Sequence, residues 1–189
     1  MTLDIRKLSW RMFLLALACV IVQTAAVSQV QIFGANADLT PIVVAFAGLL
    51  CGSLAGAVFG FGVGLLVDLA LVQPVGMSAL LFLAIGFGAG RVRELRDPQS
   101  RFVPVVVGAA ATAAAQVGFS IMNFLLGRDV PLGFRLIGEI VVTILLNAAI
   151  AVPVHAIVRR WLSAALPQDP RRRRRRTYTT GGLSPLSRS

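Results

Sequence analysis

Asp68 is the side chain of this protein whose position most suggests chemistry, because it is the only charged residue between Asp38 and Arg91. A carboxylate at the end of so long an apolar run is costly to place in lipid, and it requires a partner or a water-facing position. Two interpretations follow, and both remain open. Asp68 is either a buried acid paired with a neighbouring helix or partner protein, or a helix end at the outer water boundary, shortly before Gln73 and Pro74.

The remaining polar residues do not form a catalytic or metal-binding pattern. A proton relay would need a second intramembrane acid, and the candidate, Glu139, lies one helical turn from Arg135, a ready ion-pair partner. His155 is the single histidine, with no Cys, Asp or Glu at ligand spacing. We therefore predict no enzymatic activity, no metal and no cofactor. The polar residues inside apolar blocks are expected to hydrogen-bond between helices; they are Gln23, Gln116, Asn123, Asn147 and His155.

A row of glycines leads to Asp68 in steps of four residues. The row consists of Gly48, Gly52, Gly56, Gly60 and Gly64. Residues four apart share one face of an α-helix, and glycines on that face form a groove that lets another helix backbone approach closely. The row therefore predicts the packing centre of an integral membrane protein.

The composition excludes an ordinary soluble domain. Hydrophobic residues make up 57% of the 189 residues and charged residues 14%. The formal net charge of +10 lies mainly in three basic clusters, which begin near Arg6, Arg91 and Arg159. The two cysteines, Cys19 and Cys51, lie in apolar segments and are predicted to be small packing residues rather than disulfide or metal ligands.

The apolar blocks predict an all-α integral membrane protein with six transmembrane helices. As one helix, the block 39–71 would be roughly 50 Å long, against a hydrocarbon core of about 30 Å, so it must tilt severely or fold back. Lys and Arg favour the cytoplasmic side, and six spans place all three basic clusters there. A tight cytoplasmic turn is therefore predicted near Cys51 to Ser53. The spans of the membrane domain, 12–162, are about 12–32, 39–51, 53–71, 77–90, 102–126 and 136–158.

Both ends of the chain are predicted to lie in the cytoplasm, in the segments 1–11 and 163–189. The first span is expected to be an uncleaved anchor rather than a signal peptide, because its apolar stretch exceeds a usual signal core. The segment 163–189 is predicted to be disordered. Its arginine run is interpreted first as an anchor on anionic lipids, second as a contact for an acidic protein, and third as a nucleic-acid site, which the lack of interleaved aromatic residues disfavours. The run consists of Arg171, Arg172, Arg173, Arg174, Arg175 and Arg176.

The segment 56–69, Gly-Ala-Val-Phe-Gly-Phe-Gly-Val-Gly-Leu-Leu-Val-Asp-Leu, resembles the MreD family of bacterial rod-shape-determining membrane proteins. Asp38 at the opening of a span and the later Gly76 match the same family, as do Gln23 and Pro153. The likeness covers most of residues 10–160, and its specific part is the Gly-Phe-x-x-Gly-x-x-x-Asp-Leu pattern. The arginine run is not a general feature of the family.

The resemblance implies a non-enzymatic scaffold subunit of the cell-elongation machinery in the bacterial cytoplasmic membrane. The implied partners in peptidoglycan synthesis are MreC, MreB, a RodA-type polymerase and a class B penicillin-binding protein. The implied fold is similar to the six-helix substrate-binding components of energy-coupling-factor transporters, so a small-molecule-binding transporter subunit is the alternative function. In this interpretation the matching residues shape the helix core and the outer rim expected to contact MreC; they are Asp38, Gly56, Gly60, Gly64, Asp68 and Gly76.

Overall fold

A computed structural model describes residues 5–27, 31–32, 35–36, 38–95, 103–127 and 134–163. Within these residues the chain forms six α-helices: α1 (Ile5–Val22), α2 (Thr40–Cys51), α3 (Ser53–Ala70), α4 (Met77–Leu95), α5 (Val103–Leu125) and α6 (Phe134–Ser163). A π-helical turn, Gln23–Val27, extends α1, and two short strands, β1 (Gln31–Ile32) and β2 (Ala35–Asn36), pair antiparallel before α2. The predicted all-α class is confirmed. The arginine run lies outside the described residues.

In the part of the chain that the structure describes, three helical segments are long and apolar enough to cross a membrane: Ser53–Ala70, Val103–Leu125 and Ile140–Leu162. By contrast, α2 has only 12 residues, so its rise of about 18 Å is shorter than a hydrocarbon core. The structure thus confirms a helical chain of membrane type. That all six helices cross the bilayer stays a prediction.

The first and last helices are joined by a reciprocal pair of hydrogen bonds. Arg11 Nη1 donates to the Trp161 carbonyl oxygen at 3.0 Å, and Trp161 Nε1 donates to the Arg11 carbonyl oxygen at 3.3 Å. Because these residues are 150 positions apart, the contact closes the bundle between α1 and α6.

The short helix α2 forms the centre of the bundle. Its residues 40–49 are all buried, with Ile42, Val44 and Phe46 completely enclosed. It packs against α3, α4, α5 and α6. An apolar helix without a polar face is expected to be enclosed in this way, because no side of it is suited to water.

The chain folds back between α2 and α3 at the single residue Gly52. A Cβ on Gly56 would lie 2.6 Å from the Gly48 Cα, and one on Gly60 would lie 3.0 Å from Val44 Cγ1. Both pairs are centred on Gly52, so the two helices run side by side from this point. The long apolar block 39–71 is therefore two helices, and the break falls within the predicted turn at Cys51 to Ser53.

Candidate functional site

The glycine row of α3 packs directly on the backbone of α4. A Cβ on Gly56 would overlap the Gly86 carbonyl oxygen, and one on Gly60 would overlap the Phe82 carbonyl oxygen. Farther along, a Cβ on Gly64 would overlap the Ala79 Cα. These glycines, four residues apart, allow close backbone contact along one face of α3, which is how small residues stabilise helix pairs in a membrane.

Helix α2 enters the same contact through Gly48. A Cβ there would overlap the Gly86 carbonyl oxygen and lie 3.3 Å from the Gly90 backbone nitrogen. A Cβ on Gly90 would in turn overlap the Ser53 Cα at the start of α3. Three helices thus meet backbone to backbone, and this contact, which includes Gly48, Gly56, Gly60, Gly64, Gly86 and Gly90, is called here the glycine core.

Asp68 closes one end of the glycine core by capping α4. Its side chain is completely buried at the end of α3. Oδ2 accepts a hydrogen bond from the Gly76 N–H at 2.7 Å, and Oδ1 accepts one from the Ser78 N–H at 3.1 Å. Both oxygens therefore satisfy backbone donors at the positive N-terminal end of α4. Asp68 is thus a buried acid at a helix end, and its partners are backbone N–H groups at the start of the neighbouring helix.

Glu94 closes the opposite end in the reverse direction. It lies at the end of α4, and Oε1 accepts hydrogen bonds from the Ser53 hydroxyl at 2.6 Å and the Ser53 N–H at 3.2 Å. Each helix of the α3–α4 pair thus ends in an acid that caps the start of the other. These two ends are called below the Asp68 end and the Glu94 end.

Sequence reasoning missed Glu94, although the sequence carried a signal for it. Gly86, Gly90 and Glu94 follow one another in steps of four on α4. The pattern repeats that of Gly60, Gly64 and Asp68 on α3, again ending in an acid. Two such rows in consecutive segments indicate a helix pair with a cap at each end.

Gly52 and Gly76 were predicted as packing residues, and the structure places both in turns. Gly52 has φ of 103° and ψ of 175°, and Gly76 has φ of 104°. A Cβ on Gly52 would lie 3.9 Å from its nearest neighbours, and one on Gly76 would meet nothing within 4 Å. Both positions thus require glycine for its backbone conformation rather than for space.

Gly52→Ala is therefore expected to destabilise the protein although the side chain would fit. The conformation at Gly52 is almost exclusive to glycine, so we expect the free energy of unfolding to fall by about 1–3 kcal/mol. Thermal unfolding of the purified protein in detergent measures this change. Gly88→Ala is the control, because its Cβ would also meet nothing within 4 Å but its backbone is helical. Equal stability of Gly52→Ala and Gly88→Ala would contradict the conclusion that the backbone conformation at position 52 requires glycine.

A polar cluster, buried at Asn147 and Thr112 and partly buried at Gln23 and Asp38, secures the start of α2. The Asn147 side-chain amide of α6 donates to the Asp38 carbonyl oxygen at 2.9 Å and to Thr112 Oγ1 of α5 at 3.0 Å. Gln23 Oε1 accepts the Leu39 N–H at 3.0 Å, and Asp38 Oδ1 accepts the Thr40 N–H at 3.1 Å. These contacts satisfy backbone groups that the short α2 leaves unpaired inside the bundle. The expected interhelical bonding is confirmed for Asn147.

Asp38 precedes α2 and lies outside the helices, and burial raises the pKa of its carboxyl from 3.8 to about 6. The folded protein therefore retains a proton that the unfolded chain has lost between these values. Its contribution to stability is greatest at low pH and is lost as the pH rises through 6. We expect the free energy of unfolding to fall by roughly 1–2 kcal/mol between pH 5 and pH 7.5 relative to Asp38→Asn, which is uncharged throughout. Unfolding curves of both proteins across this range test the expectation, and parallel curves would refute it.

Within the described ranges, the other predicted polar and charged side chains form no assembled chemical site. His155 lies edge-on to Phe46, with ring centroids 5.0 Å apart. Among the described residues, no group of three metal-ligating side chains is close enough to hold an ion. The side chains of Arg135 and Glu139, like the run Arg171 to Arg176, are outside the described part of the chain.

The fold and the site together define a helical membrane protein whose distinctive feature is a closely packed contact of three helices. The family described as rod shape-determining protein MreD matches residues 4–164, which is most of the chain. The chain therefore belongs to the MreD family, a family of structural membrane proteins that determine cell shape. No curated protein and no solved structure matches the chain.

Proposed function

We propose that this protein is a non-enzymatic scaffold subunit of the bacterial cell-elongation complex that synthesises peptidoglycan. The family match over residues 4–164 carries this proposal. The glycine core supports it, because backbone contacts across three helices, capped at both ends, give a rigid support for other subunits. The proposed direct partner is MreC, with MreB, a RodA-type polymerase and a class B penicillin-binding protein in the same complex.

In this proposal the protein crosses the inner membrane six times, with both termini in the cytoplasm. The Asp68 end then faces outward and the Glu94 end faces the cytoplasm. The basic residues near the Glu94 end, Arg91 and Arg93, agree with the preference of arginine for the cytoplasmic side. The run Arg171 to Arg176 is proposed to hold the tail at anionic lipids.

The proposed MreC contact is the turn between α3 and α4, residues 71–75. Its apolar side chains are exposed, and Val72 is 93% exposed. Val72 also has φ of 52°, a strained conformation for a β-branched residue. Asp68 is buried and both of its oxygens accept hydrogen bonds from backbone groups, so in this proposal it acts on a partner through this turn. The turn thus combines a strained residue with exposed apolar surface, and the buried cap Asp68 holds it in place. This combination is consistent with a docking point for a partner protein.

The test is recovery of partners from living cells. The tagged protein is expressed at its native level, crosslinked and purified in detergent, and MreC is expected with the polymerase and the penicillin-binding protein. Val72→Asp is expected to reduce the recovery of MreC. Leu95→Asp introduces the same negative charge at an exposed site of the Glu94 end, and it is expected to leave the recovery of MreC intact. A shared transport ATPase recovered without these proteins would establish the transporter subunit instead.

A further inference from the structure

A membrane-facing groove runs between α4 and α5. It has a volume of about 300 Å³. Its lining is entirely apolar, and small residues on both helices, including Gly88, Ala84, Ala110 and Ala114, form much of it. A Cβ on Gly88 would meet nothing within 4 Å, so the groove is open at this point. An open apolar groove on a membrane helix pair is exposed to lipid chains.

The groove differs at its two ends. At the end nearer Asp68, the Leu81 side chain lies against Gly118 of α5, so closely that a Cβ there would overlap Leu81 Cδ1. At the other end the lining finishes with Val92 of α4 and Val107 of α5. The groove is thus closed by a side chain at one end and continues toward the Glu94 end.

A cation stands at this second end. Arg91 lies three residues beyond Gly88, which places the two on one face of α4. Its side chain is 60% exposed, with a long ion pair to Glu94 at 3.5 Å and its guanidinium 5.9 Å from the Phe87 ring centre. Arginine carries five N–H donors, so donors remain for an anionic group. The positive N-terminal end of α5, at Val103, lies on the same side.

We propose that this groove binds one acyl chain of an anionic phospholipid, whose phosphate is held by Arg91. The apolar lining matches the chain, and the exposed guanidinium at the open end matches the phosphate. The exposed Arg91 guanidinium orients the lipid with its headgroup at the membrane surface nearest Glu94. A transmembrane helix of a partner protein would not require this cation, which is why the lipid is the assigned occupant.

The test is native mass spectrometry of the purified full chain titrated with phosphatidylglycerol or phosphatidylcholine carrying the same acyl chains. The wild-type protein is expected to bind a first phosphatidylglycerol about fivefold more tightly than the zwitterionic lipid. Gly88→Leu fills the groove and is expected to weaken this first binding by about tenfold or more, since several methylene contacts are lost. Arg91→Gln is expected to retain binding but bind both lipids equally.

Gly62→Leu is the matched control. Gly62 is also an exposed helical glycine whose Cβ would meet nothing within 4 Å, but it lies on α3, away from the groove. Its lipid binding should equal that of the wild type. Ala110→Leu fills the groove from α5 and repeats the test should Gly88→Leu unfold. Undiminished binding in both groove variants, an equal loss in Gly62→Leu, or an unchanged preference in Arg91→Gln would each overturn the proposal.

Discussion

Gly60→Ala lowers the free energy of unfolding by about 3 kcal/mol, at the upper end of overpacking effects, while Gly62→Ala on the same helix raises it by about 0.5–1 kcal/mol. This is the expected result for two identical substitutions two residues apart. At Gly60 the new methyl group would overlap the Phe82 carbonyl oxygen, which belongs to the backbone and cannot move aside alone. At Gly62 nothing lies within 4 Å, so alanine acts only through its higher helix propensity.

The opposite signs make this pair of variants a sharp test of the glycine core. The thermal stability of the two variants is compared in detergent by measuring, at each temperature, the fraction of protein that remains monodisperse. Gly60→Ala is expected to be less stable than the wild type and Gly62→Ala more stable. Gly56→Ala should behave like Gly60→Ala, because its methyl group would overlap the Gly86 carbonyl oxygen. If Gly60→Ala and Gly62→Ala were equally stable, α3 and α4 could not be in backbone contact.

Asp68→Ala is expected to lower the free energy of unfolding by about 2–4 kcal/mol, because it removes a helix cap and leaves two N–H groups without an acceptor. These are the N–H groups of Gly76 and Ser78. The variant should remain in the membrane, since its helices are unchanged, and under the proposed function it should recover less MreC. Hydrogen exchange resolves the effect, with faster exchange expected at residues 76–78.

Two variants control for a general loss of stability. Asp68→Asn keeps one acceptor oxygen, so its effect should be intermediate. Glu94→Ala removes the cap at the opposite end, and its faster exchange should appear at Ser53 instead. Protection at Ser78 that is identical in Asp68→Ala and the wild type would show that the carboxylate does not cap α4.

The sequence predicts the helical class, the glycine packing and the break near Gly52, because each follows from a local pattern. Composition identifies a membrane protein, a step of four residues identifies a helix face, and helix length against bilayer thickness forces a break. Asp68 stands out for the same reason, as the single charge in an apolar run.

Other features depend on which helices meet, which no local pattern states. Gly52 has the same four-residue spacing as the other glycines of the row, yet it forms the turn between α2 and α3, because α2 ends at Cys51. Ser53 and Glu94 become partners only through the antiparallel packing of α3 on α4, across 41 positions. The cluster of Asn147, Thr112 and Asp38 likewise joins segments far apart in the chain.

The burial of α2 on every side has a consequence for biogenesis. A segment of 12 residues is shorter than the stretch of about 20 that a translocon releases into lipid as a single span. In the finished protein it has no lipid-facing side. Under the proposed six-span topology, helix α2 is therefore expected to leave the translocon together with α3, as a hairpin bent at Gly52. A mutation at Gly52 is then expected to lower the amount of protein that accumulates in the membrane, in addition to the stability of the protein that is purified.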